Sequence, residues 1–145
     1  MAATKRYINA TVAFTPSGGS STPATGLTSY NFPANIELQK FDGDADKFTT
    51  TLAQTHADPV LTVTVADIFA LTSVAYGTRG TVVLTVSDAK NGVTTSGGGR
   101  TITGSNVVIG ADDPTGSHRQ FASNTYSFHG ESTDGVTSPW AVAAL

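Results

Sequence analysis

A period of two dominates the chain. Ile8, Ala10, Val12 and Phe14 alternate with Asn9, Thr11 and Ala13, which puts the apolar set on one face of a half-buried strand. The alternation returns in Leu61, Val63 and Val65 against Thr62 and Thr64, directly after Asp58-Pro59, where a proline suits a strand entrance. Val82, Leu84 and Val86 mark a further strand over Thr81 to Ser87. Ile36 and Leu38 flank Glu37 in a strand running toward Phe41. The polar turn Asp42-Gly43-Asp44-Ala45-Asp46 follows, and Phe48 to Ala53 reads as a Thr-rich strand returning from it.

Later segments are shorter. Lys90-Asn91-Gly92 makes a turn, and Val93 to Thr95 could pair with Arg100 to Thr103 across Ser96-Gly97-Gly98-Gly99, since glycine supplies the positive φ of a hairpin turn without steric cost. Val107 to Ile109, Asn124 to Phe128 and Trp140 to Ala144 complete the strands. Asp67 can cap a short helix from Ile68 to about Ser73 or Val74, ended by Gly77. Between Thr15 and Pro33 the chain has almost nothing apolar and carries Pro16-Ser17-Gly18-Gly19, Pro23 and Gly26, so 15–33 is expected as an extended loop or arm. Seven or eight short strands with frequent turn signals predict an all-β fold, a β-sandwich or partly open barrel with one short helix.

The 145 residues are expected to form a single domain, 1–145, of a size that needs neither disulfides nor a structural metal. There is no cysteine, which removes disulfide frameworks, thiolate zinc sites and cysteine nucleophiles. Charged residues make up only 13% of the chain, against roughly 25% in ordinary soluble domains, with Ser, Thr and Gly in their place. The surface is therefore neutral and rich in hydroxyls. A formal charge of -3 with scattered Lys and Arg argues against a nucleic-acid-binding footprint, and no apolar run approaches a membrane span. Met1 to Arg6 is followed by no apolar run of the signal-peptide kind. Without a secretion signal, the glycosylation pattern at Asn9-Ala10-Thr11 is accidental.

The expected enzymatic motifs are absent. His56, His118 and His129 are far apart in sequence, so no zinc pair is signalled, and each reads as a surface or loop residue. No nucleophile elbow, phosphate loop or dinucleotide fingerprint is present. Asp42, Asp44 and Asp46 begin like a calcium loop, but Lys47 stands at the sixth position and Ala53 at the twelfth, where that loop needs glycine and a bidentate glutamate. An EF-hand is excluded. What stays open is an acidic solvated turn or a weak calcium site shared with another loop. Asp112-Asp113-Pro114 reads as another turn rather than an acid/base pair. Catalytic, cofactor-binding and metal residues are accordingly expected to be none.

The segments Phe41-Asp42-Gly43-Asp44-Ala45-Asp46-Lys47-Phe48, Asp58 to Asp67, Gly77-Thr78-Arg79-Gly80-Thr81, Val86-Ser87-Asp88-Ala89, His118 to Ala122, Tyr126-Ser127-Phe128 and Ser132 to Pro139 follow one another in an order that resembles small structural proteins of tailed bacteriophages, most nearly the tail tube proteins. The resemblance covers about two thirds of the chain. It implies a non-enzymatic virion protein, made in the host cytoplasm. Such a protein forms hexameric rings that stack into a tube, with strands of each subunit completing a barrel around the lumen. Its partners would be further copies of itself and other phage tail proteins. DNA would pass through without specific binding, and no membrane is involved. A capsid decoration protein or an immunoglobulin-like adhesion module would have a similar sequence. If DNA crosses the lumen, Asp42 to Asp46 or Asp112-Asp113 is expected to face it, with Lys5, Arg6, Arg79 and Arg100 outward or in subunit contacts.

Overall fold

A computed structural model describes residues 7–24, 26–45, 47–49, 51–67, 70–71, 73–90, 93–110 and 112–144. Its strands are β1 (Tyr7–Pro16), β2 (Thr22–Ala24), β3 (Leu27–Asn31), β4 (Ile36–Phe41), β5 (Thr51–Ala57), β6 (Val60–Val65), β7 (Arg79–Lys90), β8 (Val93–Ile109), β9 (Asp113–Thr115), β10 (Ser123–Gly130) and β11 (Trp140–Ala144). Nine of them form one antiparallel sheet along the path β2-β1-β7-β8-β10-β6-β3, with β11 added to β8 and β9 to β10. The remaining two, β4 and β5, make a separate hairpin.

Strict alternation drives this sheet to bury one face. Leu61, Val63 and Val65 on β6 stand directly opposite Phe128, Tyr126 and Asn124 on β10, and all six are buried. Val12 and Phe14 of β1, Val82 and Leu84 of β7, and Ile102, Val107 and Ile109 of β8 join the same core. Each such side chain contributes about 1.5–3 kcal/mol of burial. The rings of Phe14 and Phe128 lie 5.6 Å apart although β7 and β8 separate their strands, so the sheet curls over its buried face. It does not close. At the seam β1 and β3 approach within 8 Å between Cα atoms, and a groove of about 290 Å³ remains between Ala10 and Leu27–Tyr30.

The all-β architecture is the expected one; β1, β4 and β6 contain the alternating segments, and Trp140–Ala144 is a strand as expected. Four local expectations are corrected. The strand expected over Phe48 to Ala53 is β5, Thr51–Ala57, and Phe48 precedes it. Segment 15–33 is not simply a loop, because β2 pairs with Val12–Phe14 and β3 pairs with β6. Ladder bonds need few apolar residues, and here buried Ala24, half-buried Leu27 and a hydrogen bond from Thr28 Oγ1 to the Thr64 carbonyl (3.0 Å) suffice. Gly97-Gly98-Gly99 is no hairpin turn. It lies inside β8, where Val86 pairs with Arg100 and Asp88 with Thr95, so residues 96–99 bulge opposite a single residue of β7, as side-chain-free backbone permits. Asp113-Pro114 is no turn either, since Asp113–Thr115 pairs with β10.

The helix expected from Ile68 falls partly on residues 68, 69 and 72, outside the described residues. Around them the Ala70 N–H donates to the Asp67 carbonyl and the Val74 N–H to that of Leu71, as turns, and the described residues contain no helix. Leu71 and Val74 are nonetheless buried in the core.

Candidate assembly surface

The β4–β5 hairpin stands apart from the main sheet and has a sided chemistry. Residues paired across an antiparallel ladder point to the same face. Leu38 faces Gln54 and Lys40 faces Leu52, so Ile36, Leu38, Lys40, Leu52 and Gln54 share one face, while Glu37, Gln39 and Phe41 with His56 and Ala53 share the other. Ile36, Leu38 and Leu52 are each more than half exposed, at 51%, 55% and 58%. Among the described residues, three branched aliphatic side chains thus lie exposed together on one face, and Phe41 is exposed on the other. Beyond the strands, Phe48 in the connecting turn is 84% exposed.

The base of this hairpin is held firmly. Asn35, in the left-handed region at φ 48°, donates from Nδ2 to the Asp58 carbonyl at 2.9 Å, and the Asp58 N–H returns a bond to the Asn35 carbonyl. Phe32 sits edge-on to Trp140, whose backbone starts β11 against β8. Trp140 occupies a slot left by two glycines. A Cβ at Gly104 would stand 2.8 Å from its Cζ3, and one at Gly130 2.4 Å from its Nε1. Nε1 is buried and has no hydrogen-bond partner among the described residues.

Between the hairpin base and the loop after β10 lies a cleft of about 420 Å³, walled by Gln54–Pro59 on one side and residues from Gly130 to Trp140 on the other. Asp134 shapes that loop. Its Oδ1 accepts from the Val136 N–H (2.8 Å), the Thr137 N–H (2.7 Å) and Ser132 Oγ, and its Oδ2 from Thr137 Oγ1. The backbone donors of Thr137 and Val136 hold its carboxyl well below the ordinary range. Val136, at the loop's tip, is left 91% exposed. The adjacent Glu131 takes a two-pronged ion pair from Arg79, at 2.9 and 3.0 Å.

At the far end of β10 a second polar cluster ties three segments together. Buried Asn124 donates from Nδ2 to Asp112 Oδ2 (3.0 Å) and Tyr126 Oη (3.1 Å), and its Oδ1 accepts from the Asp113 N–H. The Leu71 N–H also donates to Tyr126 Oη, and Tyr76 donates to Asp112 Oδ1. These bonds, the one from Tyr76 first, depress the Asp112 carboxyl, and the same contact raises the Tyr76 phenol. The cluster ties β10 to the segments around Leu71 and Asp112.

The residues weighed for catalysis or metal binding stay dispersed. His56 is on β5, His118 in an exposed turn and His129 on β10. Asp42 and Asp44 are exposed, and Asp46 lies outside the described residues, as do Lys5 and Arg6. Among the described residues no group of three His, Asp or Glu side chains could hold a metal ion, and no helix is long and apolar enough to cross a membrane. Arg79 is paired within its own protomer and Arg100 is exposed.

No protein-family model and no curated protein matches this sequence. Solved structures do. The chain superposes on one in the 6-fold symmetrised cryo-EM structure of the anti-feeding prophage baseplate with a TM-score of 0.61, over 99% of this chain and 98% of that one, at 8% identity. It superposes on another in the structure of the anti-feeding prophage cap, the tube-terminating cap, with a TM-score of 0.58 over 100% and 96% of the two chains, again at 8% identity. The rolled β-sheet of this chain is therefore a fold found, end to end, in chains of the anti-feeding prophage baseplate and cap structures.

Proposed function

We propose that this chain is a non-enzymatic structural subunit of a phage-tail-like particle, and more specifically that it self-associates into rings of the tail tube kind, hexameric and stacked around a DNA-conducting lumen. The observation that carries this reading is the β4–β5 hairpin, whose aliphatic side chains Ile36, Leu38 and Leu52 are more than half exposed among the described residues. A two-stranded hairpin is marginal alone in water, so a protein that projects one with its apolar face bare has a use for it in an assembly. The likeness to chains in the anti-feeding prophage baseplate and cap structures supports the same direction. Low charge density helps, because few ions need desolvation when copies meet. A head-to-tail contact of this kind closes into a ring when its rotation closes.

Sedimentation velocity at rising protein concentration tests the reading. Species many times the 14.9 kDa of one chain are expected. A monomer at every concentration that binds a preformed capsid would move the assignment to a decoration protein.

A further inference from the structure

The loop between β9 and β10 is built to present one side chain. Its ends are fastened by the Thr115 and Ser123 hydroxyls, 3.1 Å apart, and by Gly116, where a Cβ would stand only 3.3 Å from that of Ala122. Inside, the Gln120 N–H bonds to the Ser117 carbonyl in a turn that holds Arg119 in the left-handed region, at φ 61°. That conformation is uncommon for a residue with a side chain. Its result is that Phe121 projects with no cover at all, 103% exposed, beside Arg119 and His118.

The cleft described above lies at the opposite end of the same strand. Ser123 opens β10 at the loop, and Gly130 closes it at the cleft, roughly 23 Å away at ~3.3 Å per residue. A protomer's Phe121 therefore cannot reach its own cleft. The chemistry of the two surfaces is complementary. The cleft offers Pro59, Val136, Pro139 and Trp140 as apolar wall, Asp58 as its carboxylate, and no Lys or Arg among its lining residues. Its volume, about 420 Å³, is in the ~300–1,000 Å³ range of sites that bury most of a ligand. The loop brings an aromatic ring and an arginine, the residue types that most often anchor interfaces.

We infer that the Phe121 loop of one copy seats in the cleft between β5 and residues 130–140 of the next, with Arg119 placed toward Asp58. This rests on the reading of the chain as a self-assembling subunit and names the contact that joins copies head to tail. A knob and a hole at opposite ends of one strand make a heterologous contact, which propagates along a stack rather than pairing two copies.

The test follows sedimentation across a concentration series of the full chain, with Val136, exposed in the cleft wall, as the second probed position. Val136→Lys, which sets a cation where Arg119 is to dock, is expected to weaken association. Phe121→Ser, at a fully exposed position, should raise the concentration needed for association about tenfold or more. Arg119→Glu and Asp58→Arg should each weaken it, and the double exchange should restore it. If particles form but Phe121→Ser or Val136→Lys associates like wild type, the inference is overturned while the assembly reading stands. If the wild type never associates, both fall.

Discussion

The ring of Phe32 stands edge-on to the indole of Trp140, with centroids 4.9 Å apart and planes at 61°. Phe32 follows β3 and precedes the projecting hairpin, whereas Trp140 begins the strand that edges the main sheet. One aromatic contact thus couples the hairpin base to the rolled body, and two glycines make room for it.

That slot predicts an intolerant glycine. Gly130→Ala would push a methyl carbon to within 2.4 Å of Trp140 Nε1 and 2.7 Å of Pro139 Cγ. Overpacking of this kind costs about 1–3 kcal/mol. Denaturant titration should show the loss together with altered Trp140 emission, and unchanged stability would mean that the indole is not held there.

Asn124 predicts a buried polar dependence. Replacing it with alanine strips the Asp113 N–H, Asp112 and Tyr126 of a shared partner inside the protein. A loss of about 2 kcal/mol in unfolding free energy is expected, in line with leaving buried polar groups unsatisfied. A loss under about 0.5 kcal/mol would contradict the account of the cluster.

Acid sensitivity follows from Asp134, Asp112 and Glu131, all depressed in the folded state. A group with a lowered folded pKa gives stability that is present above its unfolded value, about 4, and is lost as pH falls through the folded one. Thermal midpoints should therefore be level near neutrality and decline below about pH 4, less steeply in Asp134→Asn. An identical acid slope in that variant would show that the loop carboxylate contributes nothing.

Much of this fold was legible in the residues, and the exceptions have physical causes. Strict alternation over Val60–Val65 and at Val12 and Phe14 leaves little freedom, because a slip by one residue exposes the whole apolar set. The buried role of Asn124 was not read from the sequence, although it is in phase with Tyr126 and Phe128, because a polar residue in a strand reads as surface. The strands at 22–24 and 27–31 were not, since edge strands form mostly from backbone bonds and carry few apolar residues. Nor was the path of β8 through three glycines, which local turn chemistry assigns to a hairpin and long-range pairing with β7 overrides. The hairpin's sidedness depends on register, and the extra residue at Thr55 that sets it is visible only once the strands are paired.

If copies assemble around a lumen, that lumen should not hold DNA. Each copy brings a formal charge of -3, and contacts to phosphates are cationic, tight and salt-dependent. Assembled particles are expected to show no affinity for double-stranded DNA in a filter-binding assay at low salt. Binding that weakens steeply as salt is raised would overturn this.

Copies of this chain are proposed to build a larger particle through the exposed aliphatic side chains of the β4–β5 hairpin, and negative-stain electron microscopy of wild type beside Leu38→Lys/Leu52→Lys decides it. Both positions are more than half exposed, so the variant should keep the wild-type melting temperature. Rings or tubes from the wild type and dispersed, folded single particles from the variant are the predicted result. Identical rings from both, or single particles from the wild type at every concentration, would contradict it.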